Sequence, residues 1–509
     1  MSLQRLDGRD TTPLHDTPST RQLEQALAAQ LPPHTLMQRA GESIGRLAMA
    51  LAPHARLIWI ACGPGNNGGD GLEAAVFLHR AGMAVCVTHA TGDRALPADA
   101  QAALARALAA GVPFVQAPPS LAPGDLCIDC LLGIGATRSI SGKLADWIDV
   151  MNQSEATVLA ADNPTGLDAQ TGQALLQDDG TPGPVVQADH TLMLLTAKPG
   201  LFMGLGRDAA GQLWLDDLTR SPTEKQVLRS TPSCSELNPR PMPHNPRAHN
   251  SHKGSYGDVA IVGGEALAER GMGMTGAALL AATAALNGGA GRVLISLLGP
   301  DTAAPEGGLT HPEWMYRTFS ALDLHLLTVV CGCGGGMAVA RVLAPVLQRS
   351  QQLVLDADAL NAVARDTALA QLLKNRSARG LPTVLTPHPL EAARLLNCTT
   401  AEIQAHRLHS AQALAAQWGC TVVLKGSGSV IASPGQTSRI NPTGNGQLAT
   451  AGTGDVLAGW IGAKMARGPA SGLSAFEAAS QAVYAHGLAA DTWPAHQRLT
   501  ASALANAVN

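Results

Sequence analysis

Gly63-Pro64-Gly65-Asn66-Asn67-Gly68-Gly69-Asp70-Gly71 joins a short apolar run, Arg56–Ala61, to a helical pattern over Gly69–Ala81. A strand, a Gly-rich turn and a helix in that order open a βαβ unit. In a doubly wound sheet the crevice at the C-terminal ends of the strands is the usual ligand site. Glycine lets the backbone approach a ligand closely, and a helix N-terminus supplies amide donors. The stretch is neither G-x-G-x-x-G nor a P-loop, because no Gly-Lys-Ser/Thr follows. A tight turn with Asp70 as a helix cap is the plainer reading, but it leaves two adjacent Asn in a cage of glycines unexplained.

The pattern continues outward. Met83–His89, Asp125–Leu132, Ala156–Ala161 and His190–Leu195 read as further strands, and Ala98–Ala110 as a helix. The expectation is a Rossmann-like parallel sheet covered on both faces. Polar residues stand where strands end. Asp129 precedes Gly133-Ile134-Gly135-Ala136-Thr137-Arg138-Ser139, Asp162 precedes Asn163-Pro164-Thr165-Gly166, and Lys198 follows the last strand. Parallel strands bring their C-terminal ends to one sheet edge, so the Asn pair, Asp129, Asp162 and Thr165 can converge. Oxygen ligands with few charges suit a hard, monovalent cation.

Residues 221–250 contain Pro222, Pro232, Pro239, Pro241, Pro243 and Pro246 with no apolar period, which reads as a linker between domains 1–220 and 251–509. Beyond it, strands are expected at Asp258–Val262, Arg292–Ser296, Leu326–Val330, Leu353–Asp356, Thr383–Leu385 and Thr421–Leu424. Helices are expected at Met272–Leu286, Leu390–Leu396, Ala401–Gln417, Asp455–Ala466 and Leu473–Ala490. The strongest chemistry in this half is Asn441-Pro442-Thr443-Gly444-Asn445 followed by Ala449-Thr450-Ala451-Gly452-Thr453-Gly454-Asp455. Gly452-Thr453-Gly454 opens a helix, so its amides form an anion hole with Asp455 beside it. A carboxylate there is suited to deprotonating a hydroxyl that attacks phosphorus. Lys425-Gly426-Ser427-Gly428-Ser429 can meet nucleotide phosphate, His388 stands at a strand end, and Gly332-Cys333-Gly334-Gly335-Gly336 allows close ligand approach. A capped helix explains Asp455 by itself, but not the whole Gly/Thr run.

Whole-chain counts exclude several classes. Gly and Pro make up about 17% of the 509 residues (54 and 32), aromatics 3% and charged residues 15%, against 46% hydrophobic. The core must be built from small aliphatics. A net charge of −4 gives no global field for nucleic acid or anionic membrane. No apolar run approaches the roughly 20 residues of a membrane span, and the polar N-terminus lacks a signal-peptide centre. Nine cysteines, mostly inside apolar runs, fit reduced thiols in a cytoplasm. Cys127-x-x-Cys130 has no second pair to complete a zinc set, and on a strand the two sulfurs face opposite sides.

The Asn66–Gly71 loop, the Asp129–Gly133 turn and Asp162-Asn163-Pro164-Thr165-Gly166 resemble the YjeF N-terminal family, the NAD(P)H-hydrate epimerases, over roughly residues 20–220. The resemblance implies that Asn66, Asn67, Gly68, Gly69 and Asp70 hold a hydrated dinucleotide. It also implies that Asn67, Asp129 and Thr165 bind potassium, and that Asp162 and Gly133–Ser139 contact substrate, with Asp162 catalytic. The family more often has Ser at Thr165 and Ile at Asn163. Over about 235–509, His252-Lys253-Gly254-Ser255-Tyr256-Gly257, the Gly452–Asp455 run and Lys425–Ser429 resemble the ribokinase-like YjeF C-terminal family, the ADP- or ATP-dependent NAD(P)H-hydrate dehydratases. That implies nucleotide at Lys425, Gly426, Ser427, Gly428, Ser429 and Gly454. It places hydrate at Gly271, Gly336, His388 and Asp455, with Asp455 catalytic and magnesium accompanying ADP. Arg270-Gly271 and Gln447-Leu448 stand where that family usually has Gly-Ala and Gly-Met. The implied protein is a fused, cytoplasmic repair enzyme for hydrated NADH and NADPH, a homo-oligomer with no nucleic-acid or membrane partner. A kinase of a small alcohol and a non-enzymatic nucleotide-binding module are the alternatives.

Overall fold

A computed structural model describes residues 3–6, 8, 11–90, 95–242, 249–299 and 311–507. The chain divides into two compact units, Met1–Glu236 and Leu237–Asn509. The sheet of the first unit runs, edge to edge, Gln4–Arg5, Gln212–Asp216, His190–Leu194, Thr157–Ala161, Leu126–Cys130, Ile58–Cys62 and Val85–His89. Gln4–Arg5 pairs antiparallel, and the other strands pair parallel. The sheet's parallel core starts at Ile58–Cys62, moves to the Val85–His89 edge, then crosses back to Leu126–Cys130 on the other side. Strand order reverses between Ile58–Cys62 and Leu126–Cys130, which is where a doubly wound sheet opens its crevice.

Side-chain alternation builds a core on each face. Ile58, Ile60, Cys62, Leu126, Ile128 and Cys130 pack on one side, and Trp59, Ala61 and Cys127 on the other. Cys127 and Cys130 thus diverge as their spacing requires, and all nine cysteines are free. Among the described residues no helix is long and apolar enough to cross a membrane.

The linker expected at 221–250 is replaced for much of its length by regular structure. Pro222–Ser230 is a helix, capped by Ser221, whose side chain accepts from the Glu224 amide. Pro222 occupies its first turn, where proline's fixed φ is preorganised rather than disruptive. The Arg39 guanidinium holds Glu224 at 2.6 Å, and Ser235 and Glu236 pair antiparallel with Leu14 and Pro13. The first unit therefore extends to Glu236 rather than 220. Pro243 and Pro246 lie outside the described residues.

In the second unit the strands follow the order Met315–Tyr316, Arg292–Leu298, Asp258–Glu265, Thr328–Cys331, Gln352–Leu355, Thr383–Leu385, Thr421–Leu424, Val430–Ala432, Arg439–Ile440. Pairing is parallel as far as Thr421–Leu424 and antiparallel for the last two strands. The helices Thr275–Asn287 and Thr453–Ser471 cross one face in close contact, because small residues line both. A side chain at Gly459 would fall 2.1 Å from the Ala281 carbonyl, and one at Gly462 would fall 2.4 Å from Val330. This is the small-aliphatic core that the low aromatic content demands. The expected helix over Ala401–Gln417 is two helices, Thr400–Ala405 and Arg407–Trp418, meeting at His406.

Candidate active sites

In the first unit the helix begins at Asn66, three residues before the expected start, so the Gly-rich run is mostly helix rather than turn. Asp70 is its fifth residue and not its cap. The glycines serve packing. A Cβ on Gly63 would fall 1.8 Å from the Leu131 carbonyl oxygen. One on Gly68 would fall 2.0 Å from the Gly63 oxygen, and one on Gly69 would fall 2.6 Å from Met37. The helix N-terminus is thereby pressed onto the sheet edge at the switch point. Asn66, Asn67 and Asp70 line a cavity of about 520 Å³, while Gly68 and Gly69 do not reach it.

The opposite wall is Gly133, Ile134, Gly135, Ala136 and Asp162. Gly133 is pinned there, since a Cβ would lie 3.2 Å from an Asp162 carboxylate oxygen and 3.5 Å from Asn67. Thr137, Arg138 and Ser139 leave the cavity. The first two are exposed, and Ser139 sits against Gly183, its amide bonded to the Leu176 carbonyl. The chain turns outward after Ala136, which strand-end reasoning could not foresee.

Asp162 has a left-handed backbone, φ 66°, unusual without glycine. Its amide donates to the Leu192 carbonyl at 2.7 Å, and its carboxylate pairs with the Lys198 ammonium, which also donates to the Leu194 carbonyl at 2.8 Å. Lys198 is fully buried, so this is a desolvated ion pair inside the sheet edge. Asp70 makes no hydrogen bond or ion pair among the described residues. Burial, reinforced by Asp162 and other carboxylates nearby, holds its carboxyl well above the usual range.

Beside the cavity, Asp129 accepts from the Thr165 amide at 2.8 Å, the Thr165 hydroxyl at 2.7 Å and the Leu131 amide at 3.1 Å. Burial raises its carboxyl to about 6 against those bonds. Among the described residues, both side-chain polar atoms of buried Asn67 lack a hydrogen-bond partner. By their chemistry, an orphaned amide oxygen on Asn67, the buried Asp129 carboxylate and the Thr165 hydroxyl are oxygen donors of the kind that fit a potassium ion. Asn163 instead ties its own turn, donating to the Leu167 carbonyl at 2.7 Å.

In the second unit the helix Thr453–Ser471 places Asp455 in its first turn, behind Gly452, whose φ of 91° requires glycine. Asp356, at the end of its strand, takes the Lys425 ammonium at 2.7 Å and the Thr386 hydroxyl at 2.8 Å. Cys333, Asp356 and Asp455 each bring a ligand atom to within 4.8 Å of the others. Burial, then the Asp356 charge, pushes Asp455 up to about 6, with Lys425 opposing. Burial works against the Lys425 charge, but Asp356, Glu391 and Asp455 outweigh it and raise its pKa. A side chain on Gly454 would stand 3.3 Å from the Lys425 nitrogen. Expected catalytic and nucleotide groups therefore meet at one point.

His388 caps the helix Pro389–Leu396. Its Nδ1 accepts from the Leu390 and Glu391 amides, and its Nε2 lies 3.1 Å from Glu391. Gly271 is exposed, with open space around it. Gly336 packs on Glu265, and its amide donates to Asp358 at 2.8 Å.

Residues 33–200 match the family model described as YjeF-related protein N-terminus, and residues 260–508 the one described as NAD(P)H-hydrate dehydratase. Over 472 residues the chain is 36% identical to the bifunctional NAD(P)H-hydrate repair enzyme Nnr of Escherichia coli K12, covering 90% of this chain and 85% of that one. The chain belongs to the bifunctional NAD(P)H-hydrate repair enzyme family. It is also 41% identical to the ADP-dependent (S)-NAD(P)H-hydrate dehydratase of Neisseria meningitidis over 269 residues, 52% of this chain and 86% of that one. A solved structure, the Bacillus subtilis ADP/ATP-dependent NAD(P)H-hydrate dehydratase co-crystallised with ATP/Mg2+, is similar at 28% identity, 52% of this chain and 92% of that chain, with a TM-score of 0.41.

Sequence reading of this repair-enzyme chain missed three features. Arg21 and Glu24, from the helix Thr17–Ala28, line the first cavity without any strand-end pattern to mark them. Buried Glu265 accepts from Arg270 Nη2 at 2.6 Å and the Ala338 amide at 3.0 Å, so the unusual Arg270 completes an ion pair. Buried Arg407 holds the Leu424, Lys425 and Gly428 carbonyls, fixing the Lys425–Ser429 loop from behind. Arg270 meets Glu265 across a turn of five residues that has no helical i, i+4 spacing, and the Arg407 partners lie 17 to 21 residues on, so no local pattern points to either.

Proposed function

We propose that the first unit interconverts the two epimers of hydrated NADH or NADPH, and that the second dehydrates one of them at the expense of ADP. What carries the reading is the presence in one chain of both family matches, each with its chemistry-bearing residues gathered at the C-terminal edge of a parallel sheet.

In the first site Asp162, held by Lys198, would orient the hydrated ring, with Asn66, Asn67 and Asp70 on the facing wall. Asn67, Asp129 and Thr165 would hold potassium, which supplies positive charge for a phosphate or ring oxygen. In the second site Asp455 would take the proton of the ring hydroxyl as that oxygen bonds to the terminal phosphorus of ADP and AMP leaves. Phosphate then departs with the C–O electron pair, the adjacent carbon loses a proton, and the ring double bond returns. Atoms balance as hydrate plus ADP giving reduced nicotinamide, AMP and phosphate. Amides at the Gly452–Gly454 helix start would receive the phosphoryl oxygens. Magnesium brought with the nucleotide fits the oxygen donors of Asp356 and Asp455, whereas the Cys333 thiol beside them is a soft donor that suits it poorly. Free cysteines are consistent with a cytoplasmic enzyme, and a homo-oligomer is part of the same reading.

The test is purified protein with mixed hydrate epimers and ADP or ATP in turn. Recovery of reduced-nicotinamide absorbance from both epimers, with AMP and phosphate released, is the expected result. A stable phosphoester without that recovery would establish the alcohol-kinase alternative instead.

A further inference from the structure

Asn441-Pro442-Thr443-Gly444-Asn445 is conspicuous in the sequence, yet its side chains turn away from the nucleotide groups and onto the helix Ala475–Asp491. The Asn441 amide group donates to the Val483 carbonyl at 3.4 Å, and the Thr443 hydroxyl to the Tyr484 carbonyl at 2.8 Å. The Gly444 amide donates to Asp491 at 2.8 Å, and the Asn445 side chain to the Ala490 carbonyl at 2.9 Å. A Cβ at Gly487 would fall 2.3 Å from the Thr443 hydroxyl and 2.6 Å from its carbonyl carbon, so the two segments pack too closely for a side chain there. The same helix reaches the anion-hole loop directly. His486 Nε2 lies 2.9 Å from the Thr453 carbonyl oxygen.

That contact has a definite polarity. A carbonyl can only accept, so Nε2 carries the hydrogen. His486 is buried, and burial depresses its pKa to about 4, which keeps the ring neutral in this tautomer. The ring stands T-shaped to Trp460, with centroids 6.0 Å apart at 78°, which restrains the ring plane. Burying a polar ring costs free energy that an apolar side chain would not incur, so a role for the one hydrogen bond is called for. The peptide between Thr453 and Gly454 is planar and trans, and its C=O and N–H point in opposite directions. Anchoring the Thr453 carbonyl therefore also aims the Gly454 amide, one of the donors at the helix start beside Asp455.

We infer that His486 is a positioning residue for the dehydratase reaction. Through the Thr453 carbonyl it fixes the Gly454 amide toward the phosphoryl group in transit, while the Asn441–Asn445 strap docks the loop to the same helix. The inference rests on the dehydratase reading of the second site. Donors aimed in advance at developing charge act on the transition state more than on ground-state binding, so the effect belongs in kcat.

The experiment uses the full chain with His486→Phe, His486→Leu and His486→Gln, whose side-chain amide can still donate. ADP-dependent dehydration of the S hydrate is followed with kcat and KM separated, and a thermal melt together with ADP binding serves as the control for a folded second unit. The Phe and Leu variants are expected to lose about 10- to 100-fold in kcat, with KM for hydrate and ADP within about twofold. The Gln variant should recover most of the loss. Wild-type kcat in the Phe or Leu variant overturns the inference, as does a loss confined to KM, or a Gln variant as slow as Leu with its melt and ADP binding intact. If one apolar variant does not fold, the other and Gln carry the comparison. Absence of ADP-dependent dehydration in the wild-type chain would instead remove the dehydratase reading itself.

Discussion

Both units set an aspartate at the C-terminal edge of a parallel sheet, beside a helix N-terminus that glycines press onto the strands, yet they neutralise its charge differently. Asp162 has a buried lysine of its own. Asp455 does not, because Lys425 is committed to Asp356. Burial, with the Asp356 charge beside it and only partial compensation from Lys425, pushes the second carboxylate up to about 6. A carboxylate locked to a lysine is a fixed electrostatic element. One poised near neutrality can move a proton. On the proposed function, the shared architecture serves orientation in one unit and proton transfer in the other.

The contrast can be broken in four places. Asp455→Asn should lower ADP-dependent dehydration about 100- to 10,000-fold while epimerisation continues, measured on separated epimers. Similar losses in both reactions would mean that the two sites are not independent. Lys198→Met should cost about 3–5 kcal/mol of stability by leaving Asp162 desolvated without its cation. A thermal or denaturant melt checks this, and a melt unchanged from wild type would remove the idea of a locked pair.

Replacing potassium by lithium should slow epimerisation severalfold and leave dehydration unaltered, and Asn67→Ala should make epimerisation insensitive to the exchange. A salt titration of the two rates distinguishes these outcomes. The smallest effect is in pH. Dehydration should rise tenfold per unit up to about pH 6 and level above it, because Asp455 must be ionised. In stability the sign is opposite. The folded pKa exceeds the unfolded one, so between about pH 4 and 6 the folded state binds more protons. Asp455 then lowers stability as pH rises, by at most about 1.4 kcal/mol per unit. Asp455→Asn should flatten that slope in melts across the window.

Much of this was legible because parallel strands place their chemistry at predictable points. Asp129, Asp162, Asp356 and Lys425 all stand at or just beyond strand ends, and the Gly452–Asp455 run was recognisable as a helix start. Less legible was the use made of glycine. Gly68 and Gly69 read as ligand contacts, yet their missing Cβ atoms make room for the Gly63 carbonyl and for Met37, because a short motif does not say whether such room is for ligand or for protein. The prolines of 221–250 misled for a related reason. Proline signals a break within an element but a favourable start at its first turn.

The two α/β units, the small-residue core and the identity of the strand-end carboxylates were written in the amino-acid order, because short continuous apolar runs, buried on both faces, and Gly-rich strand–helix junctions are local patterns. Which charges pair was settled by the fold, since Lys198 with Asp162, Lys425 with Asp356 and Arg270 with Glu265 each depend on chain crossings or turns that place the side chains face to face. The fold alone decided that His486, 33 residues beyond Thr453, reaches back to the anion-hole loop. Electrostatic balance and donor direction depend on distances in space, and sequence spacing constrains those only within a single element.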